Sequence, residues 1–249
     1  MYDNVRYIVS GDRAIIIEFG NSISPDINAR IRSMVKAIDK LNMVGFLEVV
    51  PTYRSIQVIY DPMVVDIGDL IIKLKEIEKS LGDSEFREYR IIEIPTVYGG
   101  EYGPDIEFVA KHNNLSIEDV IKIHSSRDYL VYMLGFTPGF GYLGGMDERI
   151  ETPRLQVPRT KISAGSVGIA GKQTGIYPID SPGGWQLIGR TPIKLYNPLE
   201  NPPVLLNAGD YIRFVPIDEE DYSKIQDLVR KNQYMINIIT KEGKDHDKD

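Results

Sequence analysis

Basic side chains and glycines are concentrated in one part of an otherwise acidic chain. Twelve of the 22 glycines lie between Gly135 and Arg190, and from Thr152 to Leu199 the only carboxylate is Asp180. The cations of that second range are Arg154, Arg159, Lys161, Lys172, Arg190 and Lys194. The range therefore carries a local charge of +5 in a protein whose net charge is −7. Because glycine lets the backbone approach a ligand closely, this basic stretch predicts a site for a small anion or a polar partner.

The candidate site residues are cationic, polar and aromatic side chains on the turns of this region. Arginine suits bidentate recognition of a carboxylate or phosphate, and lysine acts as a point charge. We expect catalytic roles for Arg159, Lys161, Gln173 and Tyr177, and substrate-binding roles for Phe140, Thr174, Trp185, Arg190 and Lys172. A structural alternative is that the glycines serve barrel corners and the cations are solvated. The aromatic rings beside glycines, Phe136 among them, could pack the barrel or form an apolar patch under a partner subunit.

The run from Gly165 to Thr174 looks like a phosphate-binding P-loop but lacks two of the residues that the motif requires. A P-loop has glycine five residues before its Gly-Lys pair, and this chain has Ser166 there. It also has serine or threonine after the lysine to hold magnesium, and that position is Gln173. A nucleotide could still contact Lys172 and the backbone N–H groups of the run.

The sequence argues against catalysis or metal binding by histidine and cysteine side chains. There is no cysteine, so disulfides, thiolate nucleophiles and zinc-thiolate sites are ruled out. Of the three histidines, His124 falls on the apolar face of a predicted helix, where a buried structural role is favoured. His112 lies near a helix end and His246 in the last ten residues. No metal-binding motif is present, so we expect no dedicated metal site.

Composition and charge narrow the class of protein. The 249 residues are 42% hydrophobic and 26% charged, which is typical of a soluble globular protein of one or two domains. The overall acidity argues against general nucleic-acid binding, since that requires a basic face. No apolar run reaches transmembrane length and no signal peptide is visible, so we expect a cytoplasmic protein without membrane association.

The first part of the chain predicts a small α+β domain over residues 1–84, which we assign to the ferredoxin-like type. Two strands at 6–9 and 14–19 are followed by a helix that Pro25 opens. Two further strands at 47–50 and 55–60 precede a second helix, with Asp66 as its N-cap and Gly82 after its end. The polar run 82–88 predicts a linker.

Residues 89–235 predict a closed or nearly closed β-barrel with added helices. A strand at 89–95, helices at 105–113 and 116–126, and a strand at 128–134 come first. Ser116 with Asp119 resembles a capping box for the second helix. Short apolar runs broken by glycine and proline then predict many strands, at 166–170, 186–188, 193–196, 204–206 and 211–215. A final helix spans 218–231, and 240–249 predicts a disordered tail.

Three strings together resemble one known family. GFTPGFGYLGG, SAGSVGIAGKQTGIYP and SPGGWQLIGRTP, which begin at Gly135, Ser163 and Ser181, resemble allophanate hydrolase subunit 1, also described as carboxyltransferase subdomains C and D. Members of that family include the 5-oxoprolinase component PxpB and the kinase inhibitor KipI. The resemblance implies an N-terminal α+β domain followed by a cyclophilin-like antiparallel β-barrel.

The resemblance also implies an activity and partners. It points to a subunit of an ATP-dependent 5-oxoprolinase that opens 5-oxo-L-proline to L-glutamate, with Mg²⁺ carried by the nucleotide. The implied partners are a carboxyltransferase A/B-type subunit (PxpC- or KipA-like) and a LamB/YcsF-like protein (PxpA-like). In this interpretation the cations orient a carboxylate or phosphate, and Tyr177 and Gln173 hydrogen-bond the substrate amide. The alternatives are a KipI-like inhibitor of a sensor histidine kinase and a subunit of a urea or allophanate carboxyltransferase-hydrolase.

Overall fold

The computed structural model describes residues 1–2, 4–41, 43–81 and 87–243. The chain divides into two compact units, with the boundary near residue 89 and the end of the second unit near residue 241. No helix among the described residues is long and apolar enough to cross a membrane.

The first unit is a four-stranded antiparallel sheet with two helices. Its elements in chain order are β1 (Arg6–Ser10), β2 (Ala14–Glu18), α1 (Pro25–Asp39), β3 (Phe46–Pro51), β4 (Ser55–Tyr60) and α2 (Ile67–Ser80). The strands lie in the order β1-β2-β4-β3. From β2 to α2 the element order is that of ferredoxin-like folds, but the remaining strand, β1, comes first in the chain rather than last.

Side-chain caps set the starts of both helices of this unit. The hydroxyl of Ser24 accepts a hydrogen bond from Ile27 N–H at 3.2 Å, and Pro25 occupies the first helical position. Asp66 Oδ1 accepts from Gly68 N–H at 2.7 Å, as its predicted N-cap role requires. The apolar faces of α1 and α2 pack on the alternate, inward-facing residues of β2 and β4.

The second unit is a nearly closed, barrel-like sheet with helices. Its elements are β5 (Arg87–Tyr98), α3 (Ile106–His112), α4 (Ile117–Ser125), β6 (Asp128–Leu134), β7 (Gly141–Gly144), a 3₁₀ turn (Glu148–Ile150), β8 (Arg159–Ile162), β9 (Ser166–Ala170), β10 (Gln173–Ile176), β11 (Ser181–Gly183), β12 (Gln186–Arg190), β13 (Tyr211–Pro216), α5 (Glu219–Arg230) and β14 (Ile238–Gly243). The main strand order is β10-β9-β12-β5-β13-β6-β7, with β14 also paired to β5. The first and last strands of this order, β10 and β7, pack beside each other, which nearly closes the sheet.

The barrel-like sheet is mixed rather than antiparallel throughout, so that part of the prediction is wrong. β13 pairs with β5 in parallel over six residue pairs, from Tyr211 with Ile91 to Pro216 with Thr96. Parallel neighbours need a long connection, and here the connection contains most of the unit. The other pairs in the order, such as β9 with β10 and β6 with β7, are antiparallel.

Two predicted strands, at 193–196 and 204–206, are not strands. They meet only through an isolated bridge between Tyr196 and Val204 and a hydrogen bond from Leu205 N–H to Leu195 O at 3.0 Å. Prolines at 192, 198, 202 and 203 interrupt this region, and each removes a backbone donor that a ladder would need. The apolar runs instead bury Ile193, Leu195 and Leu206 as irregular backbone.

The ends of the second unit differ in part from the predicted boundaries. β5 begins at Arg87, two residues earlier than expected, and the rest of the predicted linker and Gly82 lie outside the described residues. β14 reaches Gly243, so the first four residues of the predicted tail are in a strand, and 244–249 lie outside the described residues. The capping box predicted at Ser116 and Asp119 is confirmed, with both of its hydrogen bonds present.

Candidate functional site

A cavity of about 300 Å³ opens beside the junction of β7 and β10 in the second unit. Its volume lies at the lower end of the range for small-molecule sites. The residues that line it are Phe136, Phe140, Tyr142, Arg154, Gln173, Tyr177 and Trp185, together with residues 182–184. The cavity thus combines five aromatic rings with one cation and one amide.

Phe140 lies at the centre of the aromatic wall. Four rings meet it edge to face, with centroids 5.7 Å away for Phe136, 5.4 Å for Tyr142, 6.0 Å for Tyr177 and 5.8 Å for Trp185. Edge-to-face contacts of this kind are favourable beyond the area that they bury. The rings therefore contact one another through Phe140, and the wall is formed without a ligand.

Strand β10, beside the cavity, has a glycine at the position where the ring of Trp185 packs. Gly175 lies on β10, and a Cβ atom there would meet the ring of Trp185 at 3.2 Å and that of Phe140 at 3.5 Å. The absence of a side chain at this position lets both rings pack against the strand.

Desolvation raises the pKa of Tyr177, whereas the positive charge of Arg154 and a backbone hydrogen bond with Trp185 lower it. Its phenol is therefore protonated at neutral pH and can donate a hydrogen bond.

Arg154 is the cation that lines this cavity, and its backbone is held in place by its neighbours in sequence. Leu155 N–H donates to Gly184 O at 2.7 Å, and the buried amide of Gln186 donates to Pro153 O at 2.9 Å. Thr152 forms a bridge with Gly171 at the β9–β10 turn. Within the described part of the chain, the exposed guanidinium of Arg154 forms no ion pair, so it is available to an anion in the cavity.

Arg159 does not line the cavity but supports it. Its guanidinium donates to Asp105 Oδ1 at 2.7 Å and to the carbonyl of Trp185 at 3.3 Å. The other oxygen of Asp105 accepts from Leu187 N–H at 2.6 Å. Arg159 and Asp105 therefore hold the backbone at Trp185 and Leu187 in place, and Arg159, for which a catalytic role was predicted, is not among the residues that line the cavity.

The structure does not bring Lys161, Lys172 or Arg190 to the cavity either. Lys161 pairs with Asp180 at 2.8 Å, and Lys172 pairs with Glu148 at 2.7 Å; both pairs are exposed. Arg190, on β12, carries a buried Nε atom for which the described residues provide no hydrogen-bond partner. Asp180 is already counted in the local charge of +5, and two further cations of the stretch, Arg159 and Lys172, are paired with carboxylates from outside it.

Thr174 is buried in the interior of the barrel. Its hydroxyl donates to Gly168 O at 3.1 Å, so it accepts from His124 Nε2, which lies 2.8 Å away. The other ring nitrogen of His124 accepts from the hydroxyl of Tyr98 at 2.8 Å. Burial lowers the pKa of His124 to about 3, so the ring is neutral. The predicted structural role of His124 is confirmed, and Thr174 belongs to that network rather than to the cavity.

Comparison with known proteins identifies the family. Residues 5–206 match the carboxyltransferase domain, subdomain C and D. The chain belongs to this family. Among its relatives, the 5-oxoprolinase B subunit of Bacillus subtilis (strain 168) is 48% identical over 231 residues, which cover 88% of this chain and 96% of the relative.

Solved structures add two further similarities. The conserved uncharacterized protein PH0987 from Pyrococcus horikoshii is 52% identical, with a TM-score of 0.52, and covers 87% of this chain and 100% of its own. The urea amidolyase of K. lactis has a TM-score of 0.80 over 96% of this chain, but only 16% of that protein is covered. At 24% identity, the second similarity shows the fold alone.

Four of the nine predicted site residues therefore meet at the cavity of this carboxyltransferase-family chain: Phe140, Gln173, Tyr177 and Trp185. Arg154 was not predicted for the site, although it is one of the cations of the basic stretch. Arg159, Lys161 and Lys172 each have a carboxylate partner, and Arg154 differs from Arg190 and Lys194 in lining the cavity, which the sequence did not indicate. Asp105, the partner of Arg159, gave no signal beyond its place at a helix start.

The glycine-rich run that resembles a P-loop is a β-hairpin. Residues 166–170 form β9 and 173–176 form β10, with Gly171 in the turn at a φ of +59°. A phosphate-binding loop would instead lead into a helix. The exclusion made from Ser166 and Gln173 is thus confirmed by the geometry. The described residues also contain no group of three or more histidine or carboxylate side chains that could hold a metal ion.

Proposed function

We propose that this chain is the B component of an ATP-dependent 5-oxoprolinase, and that its aromatic cavity binds 5-oxo-L-proline. The observation that carries the proposal is the cavity itself, in which aromatic rings lie beside the amide of Gln173 and the guanidinium of Arg154, for which the described residues provide no ion-pair partner. The name of the Bacillus subtilis relative, which is aligned over nearly its whole length, supports the same substrate.

The lining matches the chemistry of a small lactam that carries a carboxylate. The Arg154 guanidinium can bind the carboxylate through two parallel hydrogen bonds. The side chain of Gln173 contains both a donor and an acceptor, which suits the C=O and N–H of a cyclic amide. The phenol of Tyr177 adds a donor near the lactam oxygen, and the rings cover the apolar methylene groups. Donors aimed at that oxygen would stabilise the negative charge that develops there as the ring opens.

ATP and the partner subunits enter this proposal from the family. Hydrolysis of the lactam is coupled to ATP, which would phosphorylate the lactam oxygen. We do not assign the nucleotide to the hairpin around Lys172, because that lysine is paired with Glu148 and lies 3.9 Å from Glu151. We propose that the reaction takes place in an assembly with a carboxyltransferase A/B-type subunit and a LamB/YcsF-like protein.

The experiment is a reconstitution of that assembly. The three proteins are co-expressed and purified together, and ATP hydrolysis is measured with and without 5-oxo-L-proline. We expect phosphate release that depends on 5-oxo-L-proline and is accompanied by an equal amount of L-glutamate. A well-folded assembly that hydrolyses no ATP in response to the substrate would contradict the proposal, and urea would be tested in the same assay as the alternative substrate.

A KipI-like role is the second candidate, and one observation favours it. Phe136 and Val157 are large apolar side chains that are 69% and 81% exposed, as a protein-binding surface would require. A pull-down of the chain with a histidine-kinase dimerisation domain tests this role. Binding that Val157→Ser weakens would support the inhibitor function, whereas 5-oxoproline-dependent ATP hydrolysis without kinase binding would support the enzyme.

We further propose that residues 1–84 and 89–235 are separate domains, the second a cyclophilin-like barrel, and that the protein acts in the cytoplasm. The division of the chain into units near residue 89 supports this boundary. The barrel is proposed as a scaffold and not as a prolyl isomerase, since a fold does not determine an activity. Limited proteolysis tests the boundary: we expect first cleavage between 82 and 88, and a stable fragment that begins near residue 89.

A further inference from the structure

Phe136 adopts a backbone conformation that an aromatic residue rarely occupies. Its φ angle is +64°, and the N–H of Thr137 donates to the carbonyl of Gly135 at 2.7 Å. A hydrogen bond across one residue with positive φ defines the γ-turn that is rare and strained. Glycine would adopt this φ without a steric penalty, but the chain has phenylalanine at the position.

The rest of the β6–β7 loop holds the strained residue in place. Phe140 N–H donates to Thr137 O at 3.1 Å, which closes a turn with Pro138 and Gly139 at its centre. Gly139 has a φ of +82°, as the third position of a type II turn requires. Gly135 N–H donates to Phe140 O at 3.1 Å and joins the two ends of the loop. These hydrogen bonds fix the backbone of the loop and therefore the position from which the ring of Phe136 projects.

The ring that this turn presents is exposed, although it is apolar. Phe136 is 69% exposed, whereas Phe140, against which it packs, is 4% exposed. Both rings line the aromatic cavity, so Phe136 forms its outer edge. Neither burial nor backbone preference accounts for phenylalanine here. Strained residues cluster at functional sites, so the place of Phe136 at the edge of the cavity points to a function there.

We propose that Phe136 determines specificity by packing on the apolar face of the bound substrate, and that it selects a small cyclic amide over the open-chain amino acid. This inference rests on the function proposed above. A five-membered lactam presents methylene groups to the ring and one carboxylate to Arg154. The open-chain product has an ammonium group and a second carboxylate, and an aromatic cover would desolvate both without supplying partners. The same ring therefore favours the substrate and disfavours the product.

The only tryptophan of the chain, Trp185, lines the cavity, so its fluorescence reports binding in the isolated protein. The titrations use 5-oxo-L-proline and L-glutamate with the wild type, Phe136→Gly and Phe136→Leu. We expect Phe136→Gly to bind 5-oxo-L-proline about ten-fold more weakly and to lose most of its preference over L-glutamate. Phe136→Leu, which keeps an apolar side chain, should lie between the two. The matched control is Phe108→Gly, which removes a half-exposed ring on α3 that does not line the cavity.

Thermal unfolding separates this role from a structural one. Glycine relieves the positive φ but loses the contact with Phe140 and frees the unfolded chain, so the Tm of Phe136→Gly should stay close to that of the wild type while its affinity falls. A lower Tm with unchanged affinity would overturn the inference, because the ring would then serve packing. The same variants are tested in the assembled enzyme, where Phe136→Gly should raise KM for 5-oxo-L-proline and leave the subunits associated. Loss of association would also overturn it, since Phe136 would then be a docking residue.

The wild type distinguishes failure of this inference from failure of the proposed function. If 5-oxo-L-proline neither alters Trp185 emission nor stimulates ATP hydrolysis by the assembly, the proposed function fails and the inference with it. If the wild type responds and Phe136→Gly responds with equal affinity and equal preference, only the inference about Phe136 fails.

Discussion

Gln173 and Thr174 are neighbours on β10, yet the two faces of that strand serve different purposes. Gln173 points to the aromatic cavity and is partly exposed. Thr174 points into the barrel, is 1% exposed and hydrogen-bonds His124, which in turn bonds Tyr98. Successive side chains on a strand point to opposite faces, so two polar neighbours need not share a role.

The polar groups of the two faces differ in how fully they are satisfied. On the buried face, the Thr174 hydroxyl and both ring nitrogens of His124 have partners within the barrel. On the cavity face, Arg154 forms no ion pair with the described residues. A buried polar group without a partner lowers the stability of the fold, whereas an exposed one is hydrogen-bonded by water until a ligand replaces that water. Substitutions on the buried face should therefore change the stability of the fold, and substitutions on the cavity face should change the activity.

The largest expected effect is an acid destabilisation that comes from the buried face. The pKa of His124 is about 3 in the folded protein, against 6.5 for an unperturbed histidine, because burial disfavours the charged ring. Between these values the unfolded chain binds a proton that the folded chain does not. Stability is therefore lost as the pH falls from about 6.5 towards 3, by about 1.4 kcal/mol per pH unit.

Urea unfolding at pH 7, 5.5 and 4.5 measures this loss. His124→Gln keeps a donor towards Thr174 but cannot bind a proton, so its stability should fall less steeply than that of the wild type. Equal slopes for the wild type and His124→Gln would show that His124 does not titrate as the buried face requires.

The next effect concerns the cavity face. Arg154→Gln should lower kcat/KM for 5-oxo-L-proline on the order of 100-fold in the assembled enzyme, since a hydrogen bond to a charged group contributes about 1.5–3 kcal/mol. Its stability should be unchanged, because the side chain is exposed. Arg230→Gln, at an exposed position on α5, is the control. An Arg154→Gln enzyme with wild-type kcat/KM would remove the arginine from the proposed site.

Substitutions at the two neighbours on β10 test the comparison directly. Thr174→Val leaves the His124 Nε2–H without an acceptor, so it should destabilise the fold by about 1–3 kcal/mol and leave KM unchanged. Gln173→Ala should raise KM about three- to ten-fold, as expected for a lost neutral hydrogen bond, with a much smaller stability loss. Urea unfolding and steady-state kinetics on both variants provide the measurements. A raised KM in Thr174→Val at unchanged stability would show that both residues serve the substrate.

Local sequence patterns predicted the elements of the second unit better than they predicted its pairings. Ser166–Ala170 and Asp128–Leu134 are strands with the predicted bounds, because alternation and flanking turn residues act over a few positions. The parallel pairing of β13 with β5 joins residues about 120 positions apart, which no local pattern contains. The prolines after residue 191 prevent two of the predicted strands, and because they are visible in the sequence, this error was avoidable.

The candidate site was only partly predictable, because a local charge count does not include distant acids. Arg159 is paired with Asp105, which lies 54 positions away, and Lys172 with Glu148, 24 positions away. Both acids lie outside the stretch that gave the charge of +5. The aromatic residues were easier to place, since the strings that carry the family resemblance hold Phe140, Tyr177 and Trp185 close to glycines.

The smallest expected effects are those of the two exposed lysines that the sequence placed in the site. Lys161 and Lys172 form ion pairs in water, and such pairs contribute little because solvent screens them and the side chains lose freedom. Lys161→Gln and Lys172→Gln should each keep kcat/KM within about two-fold of the wild type in the assembled enzyme. A loss approaching that of Arg154→Gln would mean that the carboxylate partners release these lysines in the assembly. The basic stretch would then act as a whole, and the distinction between paired and unpaired cations would not hold.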